Sequence, residues 1–231
     1  MFNCLFKQAG ETYKLFIYDN VRRDGFWSES ETSAKYVAEK LSEIPDGSTL
    51  EVHINSDGGD AFEGTAIYNL LKNTPVKKIG IVDGHAFSAA TFILQGCDER
   101  VMETGTTLLV HNAWTFAAGN AKELRAIADD LDKLMDSNRK IYLERCSLNE
   151  GDLKALMEED RILSPEEALE YGFVDRIAKA AQEEDPGDPE EDPEDPEGDP
   201  DPEPEGEPDE DPAALRGDRF NAALRFFKNY Y

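Results

Sequence analysis

The chain has 231 residues, enough for one sizeable core and an appendage, and carries 24 basic against 50 acidic residues for a formal net charge of −26. That balance excludes nucleic acid and anionic membrane surfaces as partners of the whole chain. Residues 183–212 hold 18 of the acidic residues and no basic one, so the remainder carries only −8 and residues 1–182 read as a moderately acidic domain.

Cys4, Cys97 and Cys146 are odd in number and lack CxxC spacing, which suits a reducing compartment and offers neither a disulfide nor a zinc framework. The opening MFNCLFKQAG lacks the long apolar core and cleavage site of a signal peptide. No apolar run approaches the roughly 20 residues needed to cross a bilayer. A cytoplasmic protein is expected.

In chain order, YKLFIYD (13–19) reads as a strand and SESETSAKYVAEKLSEI (28–44) as a helix, with Ser28 and Glu31 as a candidate capping box. TLEVHIN (49–55) is a strand, SDGGDAFEG a loop and TAIYNLLKN (65–73) a helix. VKKIGIVDG (76–84) is the third strand, FSAATFILQGC (87–97) a buried helix and TTLLVHN (106–112) the fourth strand. Residues 120–145 form the longest helix, with Leu124, Ile127, Leu131, Leu134, Asn138, Ile141 and Arg145 at three- and four-residue steps. A short helix is expected at 150–159. Another follows at 164–172, marked by Ser164 as N-cap, Pro165, Glu167 and the stop Gly172. FVDRI (173–177) closes the domain as a strand.

This alternation predicts an α/β fold with largely parallel strands, in which reactive groups gather where strand C-termini meet helix N-termini. Three features fall there: the Gly58-Gly59 loop, Ser88 and His111. Ser88 alone reads more readily as a helix cap than as a nucleophile. A nucleophilic serine needs a base and oxyanion donors. The Ala89 amide at the helix start and the Gly59 amide are candidates for the donors. Among the histidines, His53 lies inside a strand, which favours a structural role; His111, at a strand end, stands slightly ahead of His85 as the base. Composition does not select an orienting carboxylate, and no phosphate-cradling glycine motif is present.

The segments INSDGGDAFEGTAIYNLL, GHAFSAATFIL, LLVHNAW and EEDRILSPEEALEYGFVDRI resemble the Clp-type serine peptidases in order and spacing, over roughly residues 13–178. The resemblance implies a ClpP/crotonase-like superhelix of βαβ units with a protruding handle helix at 120–145 that packs homo-oligomeric rings face to face. It implies Ser88 as nucleophile, His111 as general base, Asp160 as the orienting acid, and Gly59 and Ala89 as the oxyanion-hole amides, with no cofactor or metal. The family loop usually reads Asn-Ser-Pro-Gly-Gly; here Asp57 replaces the proline. The N-terminal region lacks a clear match to the segment that docks an ATP-driven unfoldase. The opening YKLFIYD…FWSESETSAKYVAEKL is more similar to the phage-encoded branch that matures the capsid precursor, the prohead, so capsid or scaffold proteins are the expected substrates. A housekeeping proteolytic chamber, an acyl-CoA hydratase or isomerase of related fold, and a non-catalytic assembly scaffold are the rival readings.

Residues 183–212 are almost wholly Asp, Glu, Pro and Gly, the composition of an extended, disordered linker. Residues 213–231 (AALRGDRFNAALRFFKNYY) carry a net +3, with Phe220, Leu224, Phe227 and Tyr231 at helical spacing. A basic-aromatic peptide on an acidic tether reads as a docking segment.

Overall fold

The computed structural model describes residues 4–24 and 31–178. The Ser28 of the expected capping box, the linker 183–212 and the docking segment 213–231 lie outside them.

The described residues form a mostly parallel sheet flanked by helices. In chain order the strands are β1 (Cys4–Ala9), β2 (Thr12–Ile17), β3 (Thr49–Ser56), β4 (Lys77–Phe87), β5 (Glu99–Met102), β6 (Thr107–Leu109) and β7 (Arg176–Ile177). The helices are α1 (Ala34–Leu41), α2 (Ala61–Asn73), α3 (Ala89–Gln95), α4 (Ala121–Leu143), α5 (Glu150–Glu159) and α6 (Pro165–Glu170). The sheet order is β1-β2-β3-β4-β5-β7, with β6 also on β4, and only the β1–β2 pair is antiparallel. Alternation decides which face is covered. Leu15 and Ile17 on β2, Leu50, Val52 and Ile54 on β3, and Val82 on β4 are all fully buried, together with Ile67 and Leu71 of α2 and Ile93 and Leu94 of α3.

Several boundaries moved for identifiable reasons. Helix α1 begins at Ala34, where the Ser33 hydroxyl accepts from the Tyr36 N–H, so the Ser28–Glu31 box does not start it. Helix α2 begins at Ala61 rather than at 65, because Asp60 accepts from the Phe62 and Glu63 N–H groups. Strand β4 runs through Asp83-Gly84, read in the sequence as a stop. Its last residues, His85–Phe87, gain a ladder with Thr107–Leu109. A Cβ on Gly84 would lie 2.2 Å from Asn55 Oδ1, so this glycine makes room for a neighbouring side chain within the strand. Strands β1 and β5 were not foreseen. The charged Glu99-Arg100 start of β5 hides a buried Arg100, whose guanidinium binds Asp175 Oδ1 (2.7 Å) beside β7. By contrast, α4 opens on an Asn120–Glu123 capping box and α6 on a Ser164–Glu167 box.

Strand β4 divides its partners. Its first half pairs β5 and its last three residues pair β6. The divergence brings β6 alongside the end of β4, where the chain turns into α3.

Candidate active site

Ser88 occupies the β4–α3 junction with φ 53° and ψ −126°, a conformation rare for a side-chain-bearing residue. Its hydroxyl makes no capping bond to α3, so the cap reading does not hold here. The backbone is pinned from both sides. The Ser88 N–H donates to Leu109 O (2.9 Å), and Ser88 O accepts from Thr91 N–H (2.9 Å) and from Thr91 Oγ1 (2.6 Å). Thr91 Oγ1 lies 2.6 Å from the hydroxyl of Tyr142 on α4. The Thr91 hydroxyl gives its one proton to Ser88 O, so the Tyr142 phenol, held protonated by burial, is the donor to Thr91. Sequence reasoning gave neither Thr91 nor Tyr142 a part in this site.

The Gly58-Gly59 loop abuts this junction. A Cβ on Gly58 would come within 2.4 Å of Phe87 O, 2.7 Å of Ser88 Cβ and 2.8 Å of Ala89 N, so only glycine permits the approach. On its other side the loop bonds Val21: the Val21 N–H donates to Gly58 O (2.6 Å) and the Asp60 N–H to Val21 O (2.8 Å). In such a parallel bridge the Gly59 N–H points away from Val21. The Ala89 N–H is the first of α3 and has no intrahelical acceptor. The start of α3 thus adjoins Ser88 on one side and the glycine loop abuts it on the other.

Strand β6 positions the third part. Leu108 and Leu163 exchange both backbone bonds in an antiparallel bridge (3.1 and 2.7 Å). His111 lies three residues after Leu108 and Asp160 three before Leu163, so the antiparallel bridge brings both to the same end of the contact. Their side chains meet, His111 Nδ1 to Asp160 Oδ1 being 3.5 Å, longer than a formed hydrogen bond. Burial holds the His111 pKa below its ordinary value, while the Asp160 charge pulls it up. Asp160 is the left-handed C-cap of α5 (φ 52°). Its neighbour Arg161 anchors the turn through Glu159 (2.9 Å) and Glu167 (2.7 Å). Among the described residues no hydrogen bond joins the Ser88 hydroxyl to His111; such contacts are often open before substrate binds.

The other histidines are occupied elsewhere. His53 stacks on Phe16 (4.8 Å) and reaches Asp83 (2.9 Å) and Glu51 (3.3 Å). His85 Nε2 lies 2.9 Å from Asp57 Oδ1. Among the described residues no group of three or more His, Cys, Asp or Glu side chains is placed to hold a metal ion.

The parallel α/β sheet and its helices define the ClpP-like fold. The structure of a point mutant of ClpP1 from Listeria monocytogenes superposes with a TM-score of 0.61 at 20% identity, over 73% of this chain and 92% of that one. The sequence profile of the Clp protease family matches residues 16–181, so the chain belongs to that family of serine-type peptidases. It is 28% identical over 182 residues to the ATP-dependent Clp protease proteolytic subunit of Deinococcus radiodurans, covering 77% of this chain and 89% of that protein. The same-named subunit of Chlorella vulgaris is 31% identical over 131 residues, 56% of this chain and 65% of that protein.

Proposed function

We propose that the protein is a serine endopeptidase that cleaves peptide bonds through an acyl-enzyme. Ser88 Oγ attacks the scissile carbonyl carbon while His111 Nε2 takes its proton. His111 then delivers that proton to the leaving amine; a water deprotonated by His111 attacks the acyl carbon, and His111 returns the proton to Ser88 Oγ as the ester bond breaks and the carboxylic acid product leaves. Asp160 accepts from the Nδ1–H and so fixes the tautomer that leaves Nε2 free as base. The Gly59 and Ala89 amides stabilise the oxyanion. No metal or nucleotide takes part.

The observation that carries this reading is the backbone at Ser88. A positive-φ serine at a strand–helix junction, without a capping bond and pressed against a glycine loop, has no evident structural purpose. The test is labelling with a fluorophosphonate serine-hydrolase probe. Wild type should label, and Ser88→Ala and His111→Ala should not. A folded wild type that stays unlabelled would favour the scaffold reading.

The natural setting proposed is maturation of a phage prohead, with capsid or scaffold proteins as substrates, in homo-oligomeric rings joined through α4. Support comes from the opening segment and the acidic tail with its basic-aromatic end. The names of the relatives support a second setting, a proteolytic chamber served by an ATP-driven unfoldase.

A further inference from the structure

Among the described residues, the Gly58-Gly59 loop is tied main chain to main chain on one side only, to Val21. On the β4 side, strand pairing ends at Ser56–Ala86. Beyond it the Gly58 N–H donates to Ser56 Oγ (3.1 Å), within the same segment, and Asp57 Oδ1 lies 2.9 Å from His85 Nε2, a side-chain tie to β4. His85 is itself well seated: its backbone pairs with Thr107 on β6, and its ring lies 4.8 Å from that of Phe87. The two glycines that follow, at φ 89° and 138°, impose little restraint of their own, so the Gly58–Gly59 peptide plane is set by its ties: Gly58 O accepts from the Val21 N–H, and the Asp57 contact sets how close the loop sits to β4. Proline, the usual residue before these glycines in the Clp-type loop, would fix φ. Asp57 cannot, but its carboxylate reaches β4 three residues before Ser88. The pair lies at the surface, with side chains 29% and 45% exposed for His85 and Asp57, so it contributes little core packing.

We propose that Asp57 and His85 form a positioning pair that clamps the Gly58-Gly59 loop onto β4 and aims the Gly59 amide at the Ser88 site, in place of the proline's backbone restraint. The inference rests on the peptidase reading above. Neither residue touches the reacting atoms. The clamp acts through the loop, so its loss weakens transition-state stabilisation and leaves ground-state binding intact.

The test uses the full chain, with kcat and KM on a fluorogenic peptide and the rate of fluorophosphonate labelling. Variants are Asp57→Ala, His85→Ala, the double variant, and Asp57→Pro combined with His85→Ala. Each single alanine should lower kcat about 10-fold with KM nearly unchanged, a part of the roughly 100-fold loss that follows removal of an oxyanion donor. The double variant should be no worse than either single, because both remove one contact. Proline at 57 should restore kcat to near wild type without His85. A purely structural role would lower the folded fraction and would not be rescued in this way. An unchanged kcat in either single variant, additive losses, or failure of proline to rescue would overturn the clamp. A wild type without Ser88-dependent labelling would overturn the peptidase reading, and the clamp with it, before any Asp57 variant is compared.

Discussion

In the proposed mechanism Ser88 and His111 set the chemistry and its pH dependence. A non-glycine residue in the Ser88 conformation costs about 1–3 kcal/mol, which the Leu109, Thr91 and Tyr142 contacts offset. His111 accepts a proton only when neutral, and burial lowers its pKa below the ordinary imidazole value of about 6.5. The kcat/KM profile should therefore rise with pH through a midpoint below the ordinary imidazole value of about 6.5. Asp160→Asn removes the charge that opposes the shift. The midpoint should move lower still, and the plateau should fall by a factor on the order of 10⁴ as the tautomer is lost. A wild-type midpoint above 7 would contradict this assignment. Folding follows the same linkage. The unfolded chain protonates at position 111 more readily, so that residue's contribution to stability declines as pH falls below about 6.5. His53 behaves oppositely. Burial pushes its pKa down, but Asp83 and Glu51 more than reverse this, so its stabilisation is present below about 6.5 and lost as pH rises through the raised value.

Helix α4 has two dissimilar halves. Its C-terminal half is anchored, with Met135, Asn138, Ile141 and Tyr142 buried against the domain. In its first two turns and beyond, Leu124 is 42% exposed and Ile127 and Leu131 are only partly covered. The apolar stripe thus continues past the surface that could bury it, as an association face does. Leu124→Arg combined with Leu131→Arg should leave the thermal melt of the domain unchanged yet shift sedimentation toward smaller particles. An unchanged particle size would remove α4 from assembly. Elements differ in how far they could be read in advance. Helices α4, α5 and α6 were legible because caps and periodicity are local signals. Strands β1 and β5, and the end of β4, were not, because ladder partners distant in sequence make them strands.

Along the whole chain, acidic charge is concentrated in one run of the sequence. The peptidase region ends before an acidic run that no packed core can use, and a +3 segment follows it at 213–231. If that segment docks the enzyme onto an assembling particle, its deletion should leave peptide cleavage intact and abolish incorporation. Normal incorporation of the truncated chain would end the docking role. Much of this organisation is written locally. Period-two and period-3.6 patterns, Ser164-Pro165-x-Glu167 and the glycine pair determine an α/β alternation, and the ordered motifs determine the family. The pairing of the three histidines is not written that way. His53 faces Asp83, His85 faces Asp57 and His111 faces Asp160, across separations of 30, 28 and 49 residues. Composition offers 50 carboxylates and no means of choosing among them. The choice for His111 is made by the antiparallel bridge of Leu108 to Leu163, and that bridge exists only once β4 has parted from β5 and taken β6 as its neighbour.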